Sequence, residues 1–439
     1  MIAFALSIAA LFISLSLLIT GSALLGTLVT LRLDIEGFSE GSIGIIMATY
    51  SLGFVFGAMW SPGIIRAVGH IRAFCAFAAI ACAGVLWHPL MISMEVWITL
   101  RLLVGFCLAG LMTVTESWIN DRATNASRGK LLGIYTIVFY LAASAGQLLV
   151  GFGDPGGMVL FSFVAMLMVL SLVPLALTRS MVPTAPTEAG HLKLLYLLRK
   201  APSGVTGSLV AGMTLGAFLA LAPLYALRQG LDMELLALYM ALSVLAAIVL
   251  QWPAGWLSDR IGRLPVLTGL LVAGSLAAGG AAVLGGYSTL AMFVFSAAFF
   301  SLGSVLYPVA VALTNDQLRS DQLMAACAEL LRTYGVGAIT GPLAASFMMQ
   351  WLGAPALFMF ISLVLLGAGL MVHYIFRTMD EVALDEQGNY VPVTAMSTAV
   401  LTELDPRNEE FAEHHSEQVE NWDEADELEY DSSHDDSSL

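Results

Sequence analysis

Charge is what this chain has least of. Asp, Glu, Lys and Arg make up 12% of its 439 residues, where soluble domains carry about 25%, so the chain cannot cover a water-facing globule of its size. Cysteine is also scarce. Cys75, Cys82, Cys107 and Cys327 each sit in an apolar run without metal-site spacing, so they read as small buried hydrophobes and no disulfide is expected. The sequence has no phosphate-binding glycine loop, no metal-binding His pair on one helix and no nucleophile elbow, so no enzymatic chemistry, metal or cofactor is expected. His414 and His415 near Glu417 in the tail are a weak metal signal, better explained as polar side chains in water. What is present is 58% hydrophobic residues and a mean hydropathy of +0.83, the composition of a polytopic integral membrane protein.

A bilayer core about 30 Å thick needs roughly 20 apolar residues per helical crossing. Runs bounded by charge, Gly and Pro predict twelve such helices, near residues 6–30, 42–61, 72–90, 95–118, 130–151, 157–178, 204–226, 234–257, 264–284, 288–314, 324–350 and 355–377. The first run lacks a basic leader and is followed by eleven like it, so it reads as a retained helix. The longest polar break in the membrane region runs from Thr178 to Ser203, with Pro183, Pro186, Pro202, Lys193, Arg199 and Lys200. It divides the chain into an N-terminal six-helix bundle (1–178), a linker (179–203), a C-terminal six-helix bundle (204–377) and a tail (378–439). Traces of a repeat support two related halves. Asn120-Asp121 and Asn315-Asp316 are 195 residues apart, as are Gly146 and Gly341.

Lys and Arg gather in cytoplasmic loops. With the N-terminus inside, thirteen fall on the cytoplasmic side, from Arg66 to Arg377, against Arg32 and Arg228 outside. Both termini are therefore expected in the cytoplasm of a bacterial inner membrane protein. The net charge of −15 comes from the tail, where Thr378 to Leu439 hold 19 acidic residues and one basic one, Arg407. Such a segment has too few apolar residues to fold and is expected to be disordered. It is either a solvated extension or an autoinhibitory arm for the basic loops.

After the eighth helix the chain reads Gly255-Trp256-Leu257-Ser258-Asp259-Arg260-Ile261-Gly262-Arg263. The string resembles motif A of the major facilitator superfamily, and the resemblance spans residues 1–377. Within it, Glu116-Ser117-Trp118-Ile119-Asn120-Asp121-Arg122, Gly69-His70-Ile71-Arg72, Gly146-Gln147-Leu148-Leu149 and Tyr307-Pro308 resemble the YcaD-type inner-membrane branch. The resemblance implies two six-helix bundles around a cavity, in a monomeric bacterial transporter of undefined substrate. Gly255, Asp259, Arg260, Gly262, Arg263 and Asp316 would form its gating cluster, with Asp259 leaning on the start of the fifth helix and Arg263 on Asp316. In the first half Arg66 stands where the motif has its acid, which puts a second, symmetric latch in doubt. Gly341-Pro342 resembles the antiporter motif C dipeptide but lies in the eleventh helix, while the fifth has Gly146-Gln147, so the direction of transport stays open.

Charges inside apolar helices cost about 2.5–3.5 kcal/mol each at the centre of a helix on insertion scales, so they should face protein or water. Arg101 and Glu116 share a broad face of the fourth helix but stand about 22 Å apart along it. Arg101 through Gly105 resembles part of motif B, associated with proton-coupled exchange, or else Arg101 snorkels to the outer surface. Glu116 is the candidate proton carrier, with a helix-helix tether as its alternative. Glu329 and Arg332 can neutralise each other at i, i+3 or contact substrate. Ser16, Thr20, Thr113, Thr214 and Tyr307 are cavity candidates on the first, fourth, seventh and tenth helices, with Gln147, Gln251 and Tyr334 near the interface between halves. The expected function is secondary active transport of a small solute, driven by protons. The alternatives are an uncoupled facilitator or an exporter of lipid-like or drug-like compounds, and a sensor or scaffold that keeps the fold and uses the tail.

Overall fold

The computed structural model describes residues 2–121, 123, 128–177, 192–319, 322–376, 387 and 390. Among them all regular structure is helical. The helices are α1 (Ile2–Ile35), α2 (Glu40–Val68), α3 (His70–Trp87), α4 (Met94–Asp121), α5 (Arg128–Leu149), α6 (Val159–Leu170, continued by Leu172–Leu177), α7 (Pro202–Arg228), α8 (Met233–Leu245, continued by Ala247–Ile261), α9 (Arg263–Leu284), α10 (Thr289–Ser304, continued by Leu306–Asn315), α11 (Leu323–Leu352) and α12 (Ala356–Phe376). Ten of these spans are long and apolar enough to cross a membrane. The shorter apolar α6 and the 30-residue α11 complete an all-α polytopic fold of twelve apolar helices in two bundles, and the described part of the linker adds a short helix, Leu194–Lys200. Apart from Gln387 and Tyr390, the acidic tail lies outside the described residues, as does most of the linker.

The helix ends differ by face. Four of the six helices that start on the face opposite the Gly69 and Gly262 turns carry side-chain caps, which supply acceptors for their first amides, while α6 starts without one. Ser39 caps α2, Ser93 caps α4, Asp232 caps α8 and Ser288 caps α10. On the turn face, α3 and α9 begin without a side-chain cap directly after Gly69 (φ 86°, ψ 159°) and Gly262 (φ 95°, ψ 155°). Only glycine adopts these torsions readily, and their near identity at matching places makes the repeat visible in the backbone. Two of the three helix breaks, at Ser171 and Val305, fall three residues before Pro174 and Pro308, where a missing amide and ring crowding interrupt the hydrogen-bond ladder.

Packing explains the paired glycines. A Cβ on Gly146 would collide with the carbonyl of Thr20 on α1, and one on Gly341 would collide with the carbonyl of Met213 on α7. Each marks where the fifth helix of its half touches the first at backbone distance, as small residues allow in membranes. The halves meet on the face opposite the turns. There Thr30 donates to the Ala220 carbonyl at 2.9 Å, Ser144 to the Ala241 carbonyl at 2.9 Å, and Gly44 lies against Ser346 and Pro342. Arg228 at the end of α7 bonds Asp34 across the halves at 2.6 Å, with Glu40 at 3.5 Å.

Candidate substrate cavity and gating turn

Because the contacts just described close one face, the space left between the halves is a cavity that runs toward the turn face. Its volume is about 540 Å³, and its lining reaches Arg66 at the turn-face end of α2 and Met324 at the start of α11. A volume of this order suits a small organic ligand. The aromatic residues of the wall are Tyr50, Phe54 and Trp60 from α2, Phe139 and Tyr140 from α5, Phe300 from α10 and Tyr334 from α11. Among the described residues, Arg66, Arg101 and Arg332 are the charged members of the lining, and no Asp or Glu joins them.

Arg101 lies seven residues into α4, about 10 Å from its start, near the closed end of the cavity. It is 2% exposed and does not snorkel. Its guanidinium carbon sits 4.4 Å from the centroid of the Tyr50 ring, a cation-π contact that offsets part of the cost of desolvation. Its Nε has no hydrogen-bond partner. Tyr50 in turn approaches the Ser22 hydroxyl at 3.4 Å.

Of the other sequence candidates, the structure brings Thr113, Gln147, Arg332 and Tyr334 into the cavity wall. Gln147 accepts from Thr27 at 2.6 Å, and Thr113 meets Ser61 at 3.1 Å while bonding back to the Ala109 carbonyl. Arg332 pairs with Glu329 at 2.9 Å, so Glu329 is held by a cation of the cavity wall. The remaining candidates lie outside the lining. Ser16 and Thr214 bond back to their own helices, at the Phe12 and Val210 carbonyls. Thr20 ties α1 to the Ala142 carbonyl of α5 at 3.0 Å. Gln251 reaches Ser304 at 3.4 Å, and Tyr307 is buried with its ring against Tyr334. Glu116 is fully buried and accepts the Tyr135 phenol at 2.6 Å, in the contact between α4 and α5.

The turn after α8 is organised around Arg263, which is fully buried. Its Nε donates to Asp316 at 2.6 Å, and its Nη1 donates to Ser258 at 3.1 Å and to Asp259 at 3.0 Å. Arg260 lies over the Trp256 ring at 4.2 Å. Among the described residues no hydrogen bond joins Asp259 to α5, whose lead-in at 124–127 lies outside them. Asp259 instead accepts the backbone amide of Tyr390 at 3.1 and 3.4 Å, and the Tyr390 ring occupies the space that a Cβ on Gly255 would need. Burial holds the Tyr390 phenol above its ordinary pKa, so it stays neutral beside Asp259.

Sequence reasoning missed Tyr50, Phe54 and the rest of the α2 wall, and it missed Tyr390. The single aromatic beside Gly388-Asn389 in an acidic stretch was the available signal for Tyr390. Aromatics in an apolar run carry no mark that separates cavity from lipid.

Comparisons with known proteins agree with this geometry. The family model described as Major Facilitator Superfamily matches residues 6–288 and 234–390. The uncharacterized MFS-type transporter YcaD of Escherichia fergusonii is 31% identical over 350 residues, covering 79% of this chain and 90% of that protein. YcaD of Escherichia coli O7:K1 is 32% identical over the same lengths. Among solved structures, the nucleoside transporter NupG superposes with a TM-score of 0.70 at 13% identity, covering 86% of this chain and all of that one. A bacterial homolog of the human lysosomal transporter Spinster, in an inward-facing and occupied conformation, gives 0.68 at 15%, covering 87% and 97%. At these identities the two structures speak for the fold alone.

Proposed function

The chain belongs to the major facilitator superfamily, in its YcaD-type branch, and we propose that it is a secondary transporter that carries one small solute through the central cavity by rocking of the halves 1–178 and 204–377. The observation that carries this is a cavity between the halves that is sealed on one face and lined out to the other. The distribution of Lys and Arg supports a cytoplasmic turn face in a bacterial inner membrane, so this conformation is inward-open. Gating falls to Gly255, Asp259, Arg260, Gly262, Arg263 and Asp316, and substrate contact to Arg101, Thr113, Gln147, Arg332 and Tyr334.

Proton coupling belongs, in this mechanism, to Glu329. A solute whose anionic head passes Arg332 on its way along the cavity competes with Glu329 for that cation, and the carboxylate it releases is the acceptor of the coupled proton. Solute and proton then cross together.

The rocking has a direct test in a protein whose native cysteines are replaced by serine. Thr30→Cys and Ala220→Cys face each other across the sealed face. Oxidising that pair should stop flux and reduction should restore it. Full flux through the oxidised protein would remove alternating access.

A further inference from the structure

We infer that the ligand of this cavity is an organic monoanion with an apolar body, its carboxylate or sulfonate head seated on Arg101. A guanidinium 2% exposed is expected to have a carboxylate or several acceptors around it. Arg101 has one aromatic face and, among the described residues, no hydrogen bond and no acid. It also lines a cavity in which, among the described residues, no Asp or Glu joins Arg66 and Arg332 in the wall, so no wall carboxylate is there to seat a cationic head. One uncompensated positive charge calls for one negative charge. The planar fork of the guanidinium matches a two-oxygen head, and Met47, Tyr50, Phe54, Phe139 and Phe300 supply an apolar wall for the rest of the molecule.

This inference deepens the transport reading, but its binding half can be tested apart from flux. The melting temperature of the purified full-length protein would be followed with benzoate, octanoate and benzenesulfonate, against benzamide and benzylamine as neutral and cationic counterparts. At least one of the three anions should stabilise the protein where its counterparts do not. Arg101→Gln should weaken the apparent affinity by about tenfold or more, the range expected for loss of a charge-assisted bidentate contact, and Arg101→Lys should restore part of it. Stabilisation by benzylamine or benzamide alone, by none of the anions, or equally in a folded Arg101→Gln would overturn the inference. If Arg101→Gln does not fold, the comparison of charged and isosteric ligands on the unaltered protein decides. An anion that binds but never crosses a proteoliposome leaves this inference standing and removes transport. Flux of a cation or a neutral solute does the reverse.

Discussion

The Tyr135 phenol donates to the Glu116 carboxylate at 2.6 Å, tying α5 to α4 away from the cavity lining. The contact supports the tether reading of Glu116 over the proton-carrier one. Tyr135→Phe leaves a buried acceptor short of one donor, which costs about 1–3 kcal/mol, so it should lower the melting temperature and leave flux intact. Glu116→Gln keeps an acceptor oxygen and should retain pH-driven uptake. Normal folding with loss of gradient-driven accumulation would return Glu116 to the proton path.

Arg263 and Asp316 are buried together, at 0% and 2% side-chain exposure. Removing one partner of such a pair costs about 3–5 kcal/mol, while replacing both with apolar residues can be nearly neutral. Arg263→Leu should therefore lower the yield of folded protein sharply, and adding Asp316→Leu should recover much of it. Equal yields for the single and double variants would contradict this account of the turn.

The Arg228 clamp is different, because its side chain is 45% exposed. Exposed pairs are worth about 0–1 kcal/mol, so Arg228→Gln should leave stability unchanged and shift the open-state equilibrium by about fivefold at most. Thiol labelling of Thr30→Cys from the face opposite the turns should rise by that order, and a fall would place the clamp elsewhere.

Gly341→Ala forces a methyl into the Met213 carbonyl, and overpacking of this kind costs about 1–3 kcal/mol. Gly26 has open space around its Cβ position although it lines the cavity, so Gly26→Ala should not change melting. Thermal denaturation of the two variants side by side checks the contrast.

Much of this was legible in the sequence because bilayer thickness sets helix length. Runs without charge mark the spans, and the 195-residue offset of Gly146 and Gly341 reflects the same helix contact made in each half. Arg101 stood out because a guanidinium in an apolar run is rare. The partners were not legible. Tyr135 lies on the next helix from Glu116, and a buried helix that is apolar on all sides gives no sign that Tyr50 and Phe54 face a cavity. Thr214 and Ser16 were indistinguishable from cavity residues, since a hydroxyl bonded to its own helix reads the same in sequence.

Uptake into proteoliposomes tests the central claim most directly. Labelled p-aminohippurate, uridine and tetraphenylphosphonium would represent an organic anion, a neutral solute and an organic cation, each measured with and without an outside-acid pH gradient against protein-free vesicles. The account predicts that the anion alone accumulates above the control, that the gradient increases its accumulation, and that Arg101→Gln abolishes it. Entry of only the cation or the neutral solute, or of none of the three, would contradict it.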